Sequence, residues 1–198
     1  MAPSALPEEP QMYASTVNEM ARGRKFYPSH EFIIGCGTVT VDINARRVLL
    51  VYNKAHRIHQ LPKGRKDIGE DLLAAALRET HEETGIVVRP ATIRLRTRAT
   101  AAGGPPDAPE VLEALTETEP TAVCHYPDPY SGAIKMVFYF VAEANCELAP
   151  EGRTAEDMGK FEIIWVGVGE AAAKLAFKED GMVVTKALED LRASGYDV

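Results

Sequence analysis

Apolar and polar positions follow two rhythms along this chain, and the change from one to the other marks its elements. Residues 31–43 contain Phe-Ile-Ile-Gly-Cys-Gly-Thr-Val-Thr-Val, a β-branched and aromatic run with internal glycines, which predicts a strand with a bulge. Asp42-Ile-Asn-Ala reads as a turn, and residues 47–52 as a second strand. Residues 91–98 alternate strictly, placing Ile93 and Leu95 on one face and Arg94, Arg96 and Arg98 on the other. Three arginines on one strand face suit either edge protection or an extended anion site, and the pattern leaves both open. Residues 134–142 predict a buried strand ending at Glu143, and residues 161–166 another. Over residues 71–84 the rhythm becomes helical: Leu72, Leu73, Ala76 and Leu77 form the apolar stripe and Gly85 the stop. Residues 169–177 and 183–193 predict two further helices.

Strands and helices intermixed in this way, with neither a repeat nor a linker between globular halves, predict one α/β/α sandwich with a mixed β-sheet. Residues 1–10, rich in Pro and Glu, read as a disordered tail ahead of a single domain over 11–198. Residues 11–23 are compatible with a short helix or an ordered arm. Residues 100–120 contain Gly-Gly-Pro-Pro and several acids and predict a flexible insertion, with a short helical turn at 111–115.

At 198 residues and 45% hydrophobic composition, the chain is large enough for one substantial core. No apolar run approaches the length of a membrane span, so no membrane partner is expected. The first ten residues lack a basic segment and an apolar segment, which argues against a secretory signal. The odd set Cys36, Cys124 and Cys146 shows no metal spacing and reads as reduced thiols in the cytoplasm or nucleus. The net charge of −7 disfavours a general nucleic-acid-binding surface. Its distribution changes the picture: residues 44–66 carry Arg46, Arg47, Lys54, Arg57, Lys63, Arg65 and Lys66 without one acid. This basic run leads straight into the helical segment, where it would meet an approaching polyanion.

That helix holds the candidate chemistry. Glu79, Glu82 and Glu83 stand at i, i+3 and i+4 and project from one face. Like charges so spaced destabilise an isolated helix by roughly 0.2–0.5 kcal/mol per pair. A hard divalent cation with oxygen ligands reverses that cost, and Mg²⁺ is commonly held by carboxylates together with substrate phosphates. Ahead of the helix, Leu61-Pro62-Lys63-Gly64 combines a proline with a glycine, an arrangement that predicts an unusual backbone conformation able to aim a main-chain carbonyl.

The fixed offsets of Gly64, Glu70, Arg78, Glu79, Glu82, Glu83, Gly85 and Ile86 resemble the Nudix box. Thr80 departs from it, standing where that family usually has an aliphatic residue; it keeps a branched shape but adds a hydroxyl. The resemblance implies the Nudix fold and hydrolysis of a diphosphate linked to another group. It implies Glu82 and Glu83 as principal ligands of Mg²⁺ or Mn²⁺, with the Gly64 carbonyl as a further ligand and Glu70 as an outer ligand or a group supporting the ligands. Glu79 is implied as a ligand or as the base that activates water, oriented by Arg78.

Leu61-Pro-Lys-Gly, Phe138-Tyr-Phe-Val-Ala-Glu143 and Leu175-Ala-Phe177-Lys look similar to asymmetric dinucleoside polyphosphate hydrolases. That similarity implies a diadenosine tetraphosphate-like substrate and a catalytic part for Glu143. Lys135 is then a phosphate contact, and Tyr126 and Tyr130 are candidates to stack on a base. The cations Arg57, Lys63, Arg65 and Lys66, with His56 and the face formed by Arg94, Arg96 and Arg98, also suit a diphosphoinositol polyphosphate. The Pro-Gly-Gly-Gly that precedes the box in those hydrolases is absent. Capped RNA and a non-catalytic nucleotide sensor complete the alternatives. The sequence leaves the oligomeric state open.

Overall fold

The computed structural model describes residues 22–101, 103–104 and 111–198, so the expected N-terminal tail and most of the tip of the 100–120 insertion lie outside the described residues. The central strand is β1 (Phe32–Asp42), which pairs in parallel with β9 (Ile134–Glu143) over its whole length. That register runs unbroken from Phe32↔Ile134 to Val41↔Glu143, so the bulge expected at the glycines is absent. Gly37 is needed for a different reason: a Cβ there would stand 2.4 Å from the carbonyl oxygen of Pro62.

On its other side β1 meets two partners in succession. Its C-terminal end pairs with β2 (Arg47–Asn53), and the two then diverge. A short returning segment fills the gap: β3 (Ile58–Gln60) pairs with β2, and after Leu61-Pro62 the chain resumes as β4 (Lys63–Arg65) on β1. β10 (Phe161–Gly167) lies along the far side of β2. The far side of β9 is shared between β8 (Ala122–Pro127) and β5 (Arg89–Pro90). The parallel β1–β9 pair among antiparallel neighbours makes the sheet mixed.

Alternation along β1 and β9 sends side chains to two layers. Cys36 and Phe140 face helix α1 (Leu72–Thr84), where they pack with Ala75 and Ala76. Val39, Val41, Val137, Tyr139 and Val141 face the other layer, formed by α3 (Val168–Lys174), α4 (Lys178–Ala193) and the hairpin of β6 (Ile93–Thr97) and β7 (Leu112–Thr116). A short helix α2 (Ala155–Lys160) precedes β10. The result is the α/β/α sandwich.

Two further local expectations change. Leu112–Thr116 is a strand of that hairpin, in place of a helical turn, because its alternating half-buried positions complete the cover over α4. The fully buried stripe of α1 is Ala75, Ala76, Thr80, Glu83 and Thr84, with the leucines only half-buried, because the helix sits close enough to the sheet that small residues are required. The Thr80 hydroxyl donates to the Ala76 carbonyl at 2.8 Å and meets Thr38 Oγ1 at 2.8 Å, which in turn meets Thr40 Oγ1 at 2.7 Å. The polar atom at this core position is thus satisfied by threonines of β1. No helix among the described residues is long and apolar enough to cross a membrane.

Candidate active site

Helix α1 is fixed at both ends. The Asp71 carboxylate accepts from the N–H groups of Leu73 and Ala74 at 2.9 and 3.1 Å, and Gly85 closes the helix with φ of 72°, in the left-handed region. This places the acidic face of the helix over β4.

Arg78 gathers that face. Its Nε and Nη2 donate to the two oxygens of Glu70 at 2.8 and 2.9 Å, Nη1 donates to Glu79 and to Glu82 at 2.9 Å each, and Nη2 also reaches the Arg65 carbonyl at 3.0 Å. One planar guanidinium with five donors suits such a junction, where a lysine would not. The two-pronged bond from Arg78 holds the Glu70 carboxyl well below the usual carboxylate range, at about 2.

Glu79 and Glu83 behave in the opposite sense. Burial raises the proton affinity of Glu79 above the ordinary value, against the lowering effect of Arg78. Arg78 engages Oε1, leaving Oε2 turned to Gly64, where a Cβ would stand only 1.8 Å away. Gly64 has no positive φ, so the unusual backbone expected there is corrected: glycine is required for the room its missing side chain gives Glu79. Glu83 is 8% exposed, and burial pushes its carboxyl up to about 8. Its Oε2 accepts the main-chain N–H of Lys63 at 3.0 Å.

Two lysines complete the surroundings. Lys135 extends along β9 so that its Cε lies 3.4 Å from where a Cβ of Gly35 would be, beside the Gly64 carbonyl. Burial lowers its proton affinity, and Lys63 and Arg65 add to the effect while Asp128 and Glu83 oppose it. Lys63 pairs with Gly37, and Arg65 pairs with Gly35 and borders a cavity of about 480 Å³ with Tyr27 and His30. The Lys66 ammonium donates to the Asp67 carbonyl at 2.7 Å.

Gly64, Glu70, Arg78, Glu79, Glu82, Glu83, Lys63, Arg65 and Lys135 therefore come together. Others do not. Glu143 ends β9 opposite Val41, five residues beyond the level of Cys36 and Gly64. At about 3.3 Å per residue this sets it about 16 Å away along the sheet. It pairs there with Arg89 at 3.1 Å and contacts the Tyr196 hydroxyl at 3.4 Å, so the expected catalytic part has no geometric support. Arg94 bonds Glu113 at 2.9 Å and Arg96 stands opposite Glu113 in the β6–β7 hairpin, away from the box. Arg57 sits exposed in the β2–β3 turn with φ of 57°. Tyr130, 81% exposed, meets His56 Nε2 at 3.0 Å, whereas Tyr126 is half-buried beside Lys135 in register.

The sequence reading does not single out Asp180, a buried acid in the first turn of α4. The signal was present: Asp180 occupies the core stripe of α4 that continues through Val183, Val184, Ala187, Leu188 and Leu191.

The donor chemistry of Glu79, Glu82, Glu83 and the Gly64 carbonyl is all oxygen, which suits a hard divalent cation, and a buried Glu83 gains most from one. In the arrangement described, Arg78 collects three of the carboxylates, and no group of three His, Cys, Asp or Glu residues among the described residues is disposed around a common point to hold an ion.

A family model of the NUDIX domain matches residues 35–186. The chain belongs to the Nudix family and is a hydrolase acting on phosphoanhydride bonds. Among solved structures, it is similar to a NUDIX hydrolase from Nitrosomonas europaea, with 18% identity and a TM-score of 0.52 over 83% of this chain and 90% of that one. It is also similar to an Ap4A hydrolase from C. elegans, with 21% identity and a TM-score of 0.53 over 81% and 98%. A MutT NUDIX hydrolase from Burkholderia pseudomallei gives 20% and 0.50 over 78% and 97%. At these identities the likeness is one of fold. No curated protein matches the chain.

Proposed function

We propose that this enzyme hydrolyses a phosphoanhydride bond of a dinucleoside polyphosphate such as diadenosine tetraphosphate, with Mg²⁺ or Mn²⁺ as cofactor. The observation that carries the reading is Lys63. Its main chain binds Glu83 within the acidic cluster, while its side chain lies on the opposite sheet face with Tyr126 and Tyr139. The half-buried Tyr126 on that face is the candidate to meet an aromatic base, while the cluster meets the phosphate chain.

Glu82 and Glu83, with the Gly64 carbonyl, would hold the metal, which supplies neutralisation of phosphate charge and acidification of water. Glu79 takes a proton from the attacking water through Oε2. A carboxylate whose proton affinity burial has raised is better matched to that task near neutral pH. Arg78 keeps Oε1 occupied and so directs Oε2. Lys135, whose charge acts on Glu83, would meet the phosphate oxygens, and its partial burial strengthens the attraction.

The diphosphoinositol reading is weakened because the Arg94 and Arg96 face, which it enlisted, lies on the distant hairpin and is matched by Glu113. A panel of diadenosine tetraphosphate, a diphosphoinositol polyphosphate and capped RNA, with Mg²⁺ or Mn²⁺ and product identification, tests the assignment. Release of ATP from the dinucleotide supports it. Inactivity there, with turnover of either other substrate, rejects it.

A further inference from the structure

The segment ahead of β1 builds one wall of the cavity of about 480 Å³ that Arg65 borders. Residues 27–31 precede the span 35–186 matched by the family model, so this wall lies outside the shared domain. It is tied down by its own backbone. The Glu31 amide donates to the Pro28 carbonyl at 2.8 Å, and the Glu31 carbonyl accepts the Ile134 amide at 2.9 Å. A second wall is the turn between β8 and β9, where the Asp128 carboxylate accepts the amide and the hydroxyl of Ser131 at 3.0 and 2.7 Å. Walls fixed in this way reduce the ordering cost of binding a ligand.

The cavity adjoins the acidic cluster through two residues. Arg65 lines it, and the Arg65 carbonyl accepts Arg78 Nη2 at 3.0 Å. Ile33 also lines it and is the register partner of Lys135. Tyr126 stands on the other side of Lys135 in the same row, and residues in register share a face. A phosphate chain held at Lys135 thus has Tyr126 on one flank and the cavity on the other.

The lining selects the occupant. The volume falls within the range of about 300–1,000 Å³ common to small-molecule sites. Tyr27, Ile33 and Ile134 offer aromatic and aliphatic surface. Glu31, 3.9 Å from His30, is an acceptor for hydroxyl groups and repels a phosphate. A densely phosphorylated ring finds Arg65 opposed by Glu31 there. A base with its ribose finds both an apolar surface and an acceptor.

We propose that this cavity binds the second nucleoside of the substrate, the Tyr27 ring lying against its base and Glu31 accepting a ribose hydroxyl. This rests on the dinucleoside polyphosphate reading.

The test measures kcat and KM for diadenosine tetraphosphate in the wild type, Tyr27→Ala and Tyr27→Phe, with Mg²⁺ in excess. Inorganic tetraphosphate, which carries the phosphates and no base, is assayed alongside as a competitor. Tyr27→Ala raises KM by about tenfold, the order of a lost base–aromatic stack, while kcat and inhibition by tetraphosphate stay within about twofold. Tyr27→Phe, which keeps the ring, stays within about twofold of the wild type throughout. Tyr27 is half-buried and precedes β1, and circular dichroism verifies the fold of both variants. An unchanged KM in Tyr27→Ala, or inhibition by tetraphosphate weakened to match, overturns the assignment and leaves the proposed function standing. Hydrolysis of a diphosphoinositol polyphosphate with no cleavage of the dinucleotide overturns both.

Discussion

Gly64 and Glu79 are in contact through an absent side chain: a methyl group on Gly64 would occupy the space of Glu79 Oε2, 1.8 Å from its centre. The obstacle is the far end of a flexible side chain, so a folded protein can accommodate the methyl by moving the carboxylate. Gly64→Ala is expected to keep its fold and lower kcat by about tenfold to a hundredfold, the range for a displaced general base. Thermal melting together with steady-state kinetics checks this; wild-type turnover in the folded variant would falsify the part given to Oε2.

Removing charge from the cluster should cost more. Glu82→Gln and Glu79→Gln keep the shape of the side chain and are each expected to reduce turnover by roughly a hundredfold or more. Turnover is measured at saturating Mg²⁺ on the best substrate of the panel. Wild-type rates from a folded Glu82→Gln protein would remove it from the assigned site.

Glu83 links stability to pH. Burial raises its folded-state carboxyl to about 8, well above the range of an unfolded glutamate. The associated stability is fully present below about pH 4.5, declines as pH rises, and is gone above about pH 8. In EDTA, Glu83→Gln should therefore melt above the wild type at pH 8.5, with the gap closing toward pH 5. A gap independent of pH contradicts the burial of this carboxylate as the cause.

Thr38 and Thr80 share a buried hydroxyl contact at 2.8 Å. Thr80→Val leaves Thr38 its bond to Thr40 and should destabilise by about 0.5–1.5 kcal/mol. Thr38→Val also takes the hydroxyl partner from buried Thr40 and should cost about 1–3 kcal/mol. The double variant, which removes both hydroxyls, should cost less than the sum of the singles. Denaturant unfolding of all four proteins measures the coupling, and strict additivity refutes it.

Glu143→Gln is expected to change turnover by less than about twofold, since Glu143 is bound to Arg89 at the far end of the sheet. A loss comparable to that of Glu82→Gln would show that the far end of β9 does take part.

Residues that act through local spacing were legible before any coordinates. The acidic face of α1, its glycine stop and the alternation of Ile93 and Leu95 depend only on helical and strand periods. What escaped depends on contacts between distant segments. β3 and β4 are three residues each and carry no periodic pattern; they exist because β1 and β2 diverge and leave a gap. The placement of Glu143 followed from register, which no local run encodes. Gly64 was recognised as special for the wrong reason, because the need for it arises from a side chain fifteen positions further on.

The broken strand of β3 and β4 also has a consequence for how the enzyme can change over generations. Pro62 stands at the step where the chain leaves one neighbour for the other, and its carbonyl is anchored to the Thr38 amide at 3.3 Å. Insertions in the turn before Ile58 would be absorbed upstream of that anchor, whereas one inserted residue between Pro62 and Gly64 would invert every side chain of β4. Variation in what the enzyme accepts can therefore accumulate in the turn bearing His56 and Arg57, while the two residues after the proline are locked in count as well as in kind.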